Sequence, residues 1–375
     1  MGFKCGIIGL PNVGKSTLFN AITQSSIPAE NFPFCTIEPN VGVVEVPDSR
    51  LNALQDIVEA KKVIPTTLNL VDIAGLVKGA SKGEGLGNSF LSNIREMNAL
   101  AHVVRCFDDN NITHVDGEIN STRDAEVINL ELIFADLETL NNRKEKIEKK
   151  LRSGDKDLAS EFNLIDICIK TLESGNFINM SDYPNKEDLL IIQSFQLLTT
   201  KPIFFIANIS DTASSSNNLG NLKEYAKKMN QEVIAVQIKL EEEIASLDEQ
   251  DKKDFLELEG IEEPALNKII KKGYEILGLE TFFTAGPNEL RAWTLKSGSL
   301  APQAAGRIHT DFERGFIKAE IISFEDYISF GGEAGSKENG KLRLEGKDYI
   351  FKDGDIAHFK FNVWLLLRVN YYFGS

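Results

Sequence analysis

The sequence predicts an α/β protein: a doubly wound, mainly parallel sheet, a long helical insertion, and a smaller α+β domain behind them. Three observations lead there. Short apolar runs bounded by Gly, Asp or Asn alternate with helical patterns in the first part of the chain. Two apolar stripes at three- and four-residue steps then fill residues 124–175. From residue 279 the pattern turns to short strands punctuated by turn signals.

The runs at 5–8, 68–71, 103–107, 203–207 and 233–236 are short and partly β-branched. Such runs suit strands buried on both faces of a parallel sheet, and the helical patterns between them give βαβ units. In the insertion, Leu130, Ile133, Leu137, Leu140, Ile147 and Leu151 form one stripe, with Lys144 in an expected apolar slot. Leu158, Phe162, Ile165, Ile169 and Leu172 form the second, across a turn at Ser153-Gly154-Asp155. This predicts an antiparallel hairpin of coiled-coil type. A rigid spacer and a docking arm for a large partner both fit it. Strands are expected at 290–295, 316–323, 341–344, 348–351 and 357–363, with Asp353-Gly354 as a hairpin turn. The expected division is 1–124 with 200–278 for the α/β domain, 125–199 for the insertion, 279–363 for the last domain, and 364–375 as an atypical tail.

The length, 375 residues, calls for two or three domains. Hydrophobic residues at 42% and charged residues at 26% are ordinary for a soluble globular chain. No apolar run is long enough to span a bilayer, and the N-terminus lacks the basic and apolar regions of a signal peptide. A cytoplasmic protein with no membrane partner is expected. Cys5, Cys35, Cys106 and Cys168 form no C-x-x-C pair, so reduced thiols are expected rather than zinc or redox chemistry. A net charge of −15 argues against a surface broadly adapted to nucleic acid, so any RNA contact must use a local patch.

The chemistry begins at Gly9-Leu10-Pro11-Asn12-Val13-Gly14-Lys15-Ser16-Thr17, which matches the P-loop pattern between a strand and a helix. Glycines let successive N–H groups curl around phosphates, and the helix N-terminus adds a favourable dipole. Lys15 is placed to bridge the β- and γ-phosphates, and Ser16 to give its hydroxyl to Mg²⁺. Asn12, Val13, Gly14 and Thr17 complete the phosphate cradle. The sheet is therefore that of a P-loop nucleoside triphosphatase. Val71-Asp72-Ile73-Ala74-Gly75 ends the next strand; Asp72 can hold Mg²⁺ through water, and the Gly75 N–H can reach the γ-phosphate. Thr36, in the intervening loop, is a second oxygen donor for Mg²⁺. Loops of this kind order around a γ-phosphate and release after hydrolysis. The Gly-rich stretch 79–87 reads as the mobile second switch.

Leu76 stands where Ras-like enzymes carry the Gln that orients the attacking water, so intrinsic turnover of about 10⁻² s⁻¹ or slower is expected. His114, in a polar loop beyond the strand at 103–107, is a candidate for that task, with an ordinary surface histidine as the alternative. For the base, Asn185-Lys186-Glu187-Asp188 matches the guanine-recognition pattern N-K-x-D, but no strand precedes it. The strand at 203–207 runs instead into Asn208-Ile209-Ser210-Asp211, where Ile replaces the Lys. Asn208 can bond a purine edge and Asp211 can still accept from guanine, which leaves ATP and GTP both open. The segment 237–240 is expected to close over the base.

With these residues in view, the chain resembles the Obg-like ATPase (YchF) family along almost its whole length. Residues 9–17, 31–42, 72–87 and 101–106 look like that family's phosphate and switch segments, and 304–312 and 353–363 like its C-terminal TGS domain. The resemblance implies a G domain, an inserted helical domain and a β-grasp TGS domain. It also implies preference for ATP, a hydrophobic replacement of the catalytic Gln, and association with ribosomes. Ribosome or RNA contact would run through the TGS and helical domains. Family members usually carry Glu where this chain has Asp211. Asn12 resembles an asparagine associated with K⁺ activation in related enzymes. The expected function is a slow, Mg²⁺-dependent ATPase acting as a nucleotide-controlled switch on ribosomes. The alternatives are a GTPase of the same fold, and an RNA- or ribosome-binding module with nucleotide as allosteric ligand.

Overall fold

A computed structural model describes residues 3–24, 40–73, 86–109, 111–114, 117–152 and 158–362. Thr36, Gly75, Leu76, most of the Gly-rich stretch, the turn at 153–155 and the tail 364–375 lie outside the described residues. The chain divides into two compact units, 1–44 with 69–269, and 45–68 with 270–375.

In the first unit, β1 (Lys4–Ile8) leads through the phosphate loop into α1 (Lys15–Gln24). β2 (Val41–Glu45) follows, then α2 (Arg50–Val58) and the short β3 (Val63–Ile64), which belong to the second unit, and then β4 (Thr67–Asp72). After α3 (Leu86–Arg95) come β5 (Ala99–Arg105), α4 (Ser121–Arg152), α5 (Ala159–Glu173) and α6 (Lys186–Ser194). β6 (Ile203–Asn208), α7 (Ala213–Lys228), β7 (Val233–Val236), α8 (Ile238–Ala245) and α9 (Glu249–Leu258) complete the run, and α10 (Ala265–Ile276) spans the boundary at residue 270. The sheet order is β2-β4-β1-β5-β6-β7. β1 pairs in parallel with β4 and β5, and β6 with β5 and β7. Every residue of β5 and β6 is buried, as strands covered by helices on both faces require.

β5 starts four residues before the apolar run that announced it, because Ala99, Ala101 and His102 are weak strand formers on which sequence gives little signal. α4 is one unbroken helix of 32 residues. Its first half buries Ala125, Ile128 and Leu132, and its second half joins α5 around Leu140, Ile147, Leu164, Ile165, Ile169 and Leu172. Leu130, placed in the core stripe by periodicity, is 44% exposed instead, since the burying face of α4 changes between its two halves. Lys144 occupies its apolar slot by reaching Asp166 at 2.5 Å and lying 5.4 Å from the centre of the Phe162 ring. Asn185 of the discounted N-K-x-D match caps α6, its side chain accepting from the Glu187 N–H at 3.0 Å.

The second unit holds β8 (Leu279–Ala285), β9 (Leu290–Lys296), α11 (Ala301–Ile308), α12 (Thr310–Arg314), β10 (Phe316–Ile322), α13 (Phe324–Ser329), α14 (Glu333–Glu338), β11 (Arg343–Glu345) and β12 (Ile356–Phe361). Its mixed sheet runs β11-β10-β12-β8-β9-β3. Phe282, Leu295, Phe316, Phe351 and Phe359 form a core with Ala301, Ala304 and Ala305 of α11. Residues 45–68, read from sequence as part of the α/β domain, group here because β3 extends the sheet beside β9 and α2 packs Leu51 and Leu54 against Phe283 and Ala292. Arg50 of α2 bonds Asp353 at 2.7 Å, whose other oxygen accepts from the Thr281 N–H at 2.8 Å. The segment 348–351 is not a strand and contributes one bridge, Ile350 to Leu300. Asp353-Gly354 therefore makes no hairpin; it is a turn into β12, with Gly354 at φ 89° and its N–H on the Thr281 carbonyl.

Cys5, Cys106 and Cys168 are buried free thiols. Among the described residues, no helix is long and apolar enough to cross a membrane.

Candidate active site

The loop between β1 and α1 sits where the sequence placed it, and its glycines are needed. Gly9 has φ 152°, and a Cβ there would lie 2.4 Å from the Val103 carbonyl oxygen of β5. Gly14 has φ 101°, and its Cβ would meet the Asn208 Nδ2 at 2.7 Å. Asn12 adopts a left-handed φ of 60°, tolerated because its short amide bonds the backbone nearby. That Nδ2 donates to the Thr113 carbonyl at 3.2 Å. The loop then feeds α1, whose first turn closes with the Leu18 N–H on the Gly14 carbonyl. A helix N-terminus thus faces the loop, as anion binding requires.

Lys15 is buried, and its ammonium donates to the Leu10 carbonyl at 2.7 Å. Burial lowers its pKa to about 8, against an upward pull from Asp72. The Ser16 hydroxyl donates to Asp72 Oδ2 at 2.9 Å. Among the described residues, Asp72 Oδ1 is buried without a hydrogen-bond partner. A carboxylate oxygen left in this state beside a hydroxyl suits a small hard cation, which takes oxygen ligands and retains waters and phosphate oxygens. Among the described residues, no three His, Cys, Asp or Glu side chains converge as an independent metal cage. His102 of β5 is buried, and burial followed by the Lys15 charge depresses its imidazole to about 3, so it stays neutral.

A cleft of about 700 Å³ opens beside this loop. Asn12, Gly14 and Thr17 of the phosphate loop and α1 line it, together with Asn208, Ile209, Asp211 and the segment 237–240. The sequence assigned the Asn208 amide to a purine edge. In the structure Asn208 is buried and bridges two loops: its Nδ2 donates to the Val13 carbonyl at 3.0 Å, and its Oδ1 accepts from the Ile238 N–H at 3.3 Å. Asp211 accepts from Gln237 Nε2 at 2.8 Å.

His114 is not the open loop side chain that the sequence suggested. Its ring is buried and its Nε2 lies 2.8 Å from Asp124 Oδ2 in the first turn of α4. That pair fixes the segment whose Thr113 carbonyl holds Asn12, so it reaches the phosphate loop through the backbone. Replacing His114 with Ala is expected to cost about 1–3 kcal/mol by leaving a buried carboxylate short of a partner. Thermal unfolding should report a melting temperature lower by several degrees. A lower kcat with unchanged melting and ATP affinity would instead assign the ring to the attacking water.

Arg105 supports one wall of the cleft, a role that little in the sequence announced. Fully buried at the end of β5, it donates to the carbonyls of Phe107, Ile112 and Asp109 at 3.0, 3.0 and 3.2 Å. It thereby shapes the wall formed by Phe107, Asp108, Asp109 and Ile112. The only signal was an arginine closing an apolar strand.

Residues 4–136 match a family model described as a 50S ribosome-binding GTPase, and 279–362 match the C-terminal domain model of YchF GTPases, described as a protein of unknown function. The "Ribosome-binding ATPase YchF" of Escherichia coli O157:H7 is 53% identical over 364 residues, 97% of this chain and 100% of that protein. The protein of the same name from Bacillus subtilis (strain 168) is 52% identical over 367 residues, with the same coverage. The solved structure of the Schizosaccharomyces pombe YchF GTPase superposes with a TM-score of 0.86 at 36% identity, covering 96% of this chain and 98% of that one.

Proposed function

Because the chain belongs to the YchF family of P-loop nucleotide hydrolases, we propose that it is a cytoplasmic, ribosome-binding ATPase whose bound nucleotide sets its affinity for the ribosome. The observation that carries the phosphate chemistry is the convergence of Lys15, Ser16 and Asp72 at the N-terminus of α1. The Lys15 ammonium exchanges the Leu10 carbonyl for the β- and γ-phosphates. Ser16 and Asp72 would hold Mg²⁺, Asp72 through water, with Thr36 as the expected second protein oxygen. Bound there, Mg²⁺ would neutralise charge on the β- and γ-phosphate oxygens. The Gly75 N–H would meet the γ-phosphate. Asn12 is the residue through which K⁺ would act, its Nδ2 being already engaged by Thr113.

Preference for ATP is supported by Ile209, which stands in the cleft where a guanine site places its lysine. With Leu76 unable to orient water, intrinsic turnover is slow and ribosome contact accelerates it. The helical arm and the C-terminal domain are the surfaces proposed for ribosomal or RNA contact.

Two measurements test this. Equilibrium titrations in Mg²⁺ should show ATP binding more tightly than GTP; the reverse would make the protein a GTPase of the same fold. Turnover should rise several-fold on adding ribosomes. Ribosome binding without any change in turnover would instead favour a binding module with nucleotide as its allosteric ligand.

A further inference from the structure

We propose that Gln237 selects adenine over guanine by occupying the carboxylate of Asp211. The inference rests on the ATP reading above and names the residue that produces it. Guanine is recognised by a carboxylate that accepts from N1–H and the N2 amine together, which needs both oxygens. In this cleft Asp211 Oδ1 already accepts from Gln237 Nε2 at 2.8 Å. The assignment of the amide is fixed by chemistry, since a carboxylate only accepts and the end of Gln237 that faces it must be the NH₂. A guanine entering the cleft would have to displace that bond or share Oδ1 with the Gln237 amide, whose position crowds the approach to that oxygen.

The same bond prepares the site for adenine. Gln237, Asp211 and Ile209 all line the cleft. With Nε2 directed to Asp211, Oε1 is the acceptor that Gln237 can offer a base, and the N6 amine of adenine is the donor that matches it. Guanine carries a carbonyl oxygen at the corresponding position, which would face Oε1 as acceptor against acceptor. Gln237 also sits on a supported backbone. It is the N-cap residue of α8, and the Ile238 N–H that follows is held by Asn208. The side chain can therefore be changed with the backbone bridge to the phosphate loop left in place. Gln237 is in this sense a specificity residue, and Asp211 is its positioning partner rather than a base contact.

The test is the ratio of ATP to GTP dissociation constants, measured by fluorescent-nucleotide titration on the full chain in Mg²⁺. Gln237→Leu keeps the bulk, removes the amide and releases Asp211 Oδ1. The ratio should move toward GTP by about ten-fold, the effect of one charge-assisted hydrogen bond exchanged. Gln237→Ala should move it the same way, which guards against a packing artefact of leucine. Adding Asp211→Ala to Gln237→Leu should cancel the gain in GTP affinity while leaving the protein folded by thermal unfolding. A parent that prefers ATP, with a ratio unmoved in both single variants, overturns the role of Gln237. A GTP gain that survives in the double variant overturns the role of Asp211. A parent that binds GTP more tightly than ATP overturns the ATP reading itself, and with it the selection proposed here.

Discussion

A Lys15→Ala protein is expected to lose ATP turnover by about three orders of magnitude and yet to melt no lower than its parent. The loss follows from removing the only buried cation described in the phosphate loop. The retained stability follows from the condition of that cation before nucleotide arrives. Burial draws its pKa down to about 8, so at neutral pH the empty loop holds a charge in a place that disfavours it. Removing such a group relieves the folded state, the usual exchange of stability against function at a binding site. The pH dependence has a definite sign. Between about 8 and the ordinary lysine value of 10.5 the unfolded chain holds this proton and the empty folded chain does not, so stability of the nucleotide-free protein rises with pH there. A polyphosphate reverses the shift. Nucleotide binding in the same window takes up a proton, and affinity falls as pH rises through about 8. Calorimetric titration near pH 9 in two buffers of different ionisation enthalpy should show the uptake in the parent and none in Lys15→Ala. A variant that binds and cleaves ATP like the parent would remove the phosphate-loop account altogether.

Asn208→Ala should have the next largest effect. Its amide joins the Val13 carbonyl of the phosphate loop to the Ile238 N–H at the start of α8. Truncation strands two buried backbone groups, at about 1–3 kcal/mol each. It also opens space beside Gly14, whose position against Nδ2 fixes the height of the loop. ATP affinity is expected to fall about a hundred-fold, with a lower melting temperature. Asn208→Asp separates the two bonds, because it still accepts from Ile238 but cannot donate to Val13. It should fall at least as far in both affinity and stability, since it turns a carboxylate oxygen toward the Val13 carbonyl in a buried site. Unchanged ATP affinity in a folded Asn208→Ala protein would show that the bridge does not hold the loop.

The parts that were legible in the sequence are those that local chemistry determines. The run from Gly9 to Thr17 carries its conformation in its glycines, and the strands β6 and β7 carry theirs in dense apolar runs. The helical arm declared itself through period, apart from Leu130. What was hidden depends on partners distant in sequence. Nothing near Val63 announces that it pairs with Leu290 at the edge of the second sheet. Nothing near Arg50 names Asp353 as its partner. Asn208 and Asp211 stood out in the sequence at the end of an apolar strand, but their bonds to Val13, Ile238 and Gln237 join loops that only folding brings together. His114 was visible as a histidine in a polar stretch, and its burial against Asp124 was not.

The unbroken course of α4 makes it a lever. Asp124, held by His114, lies in its first turn, and its far end at Arg152 is roughly 40 Å away at 1.5 Å per residue. A rod of that length magnifies angle into distance. A tilt of a few degrees at its first turn would become a displacement of a few ångströms at the tip.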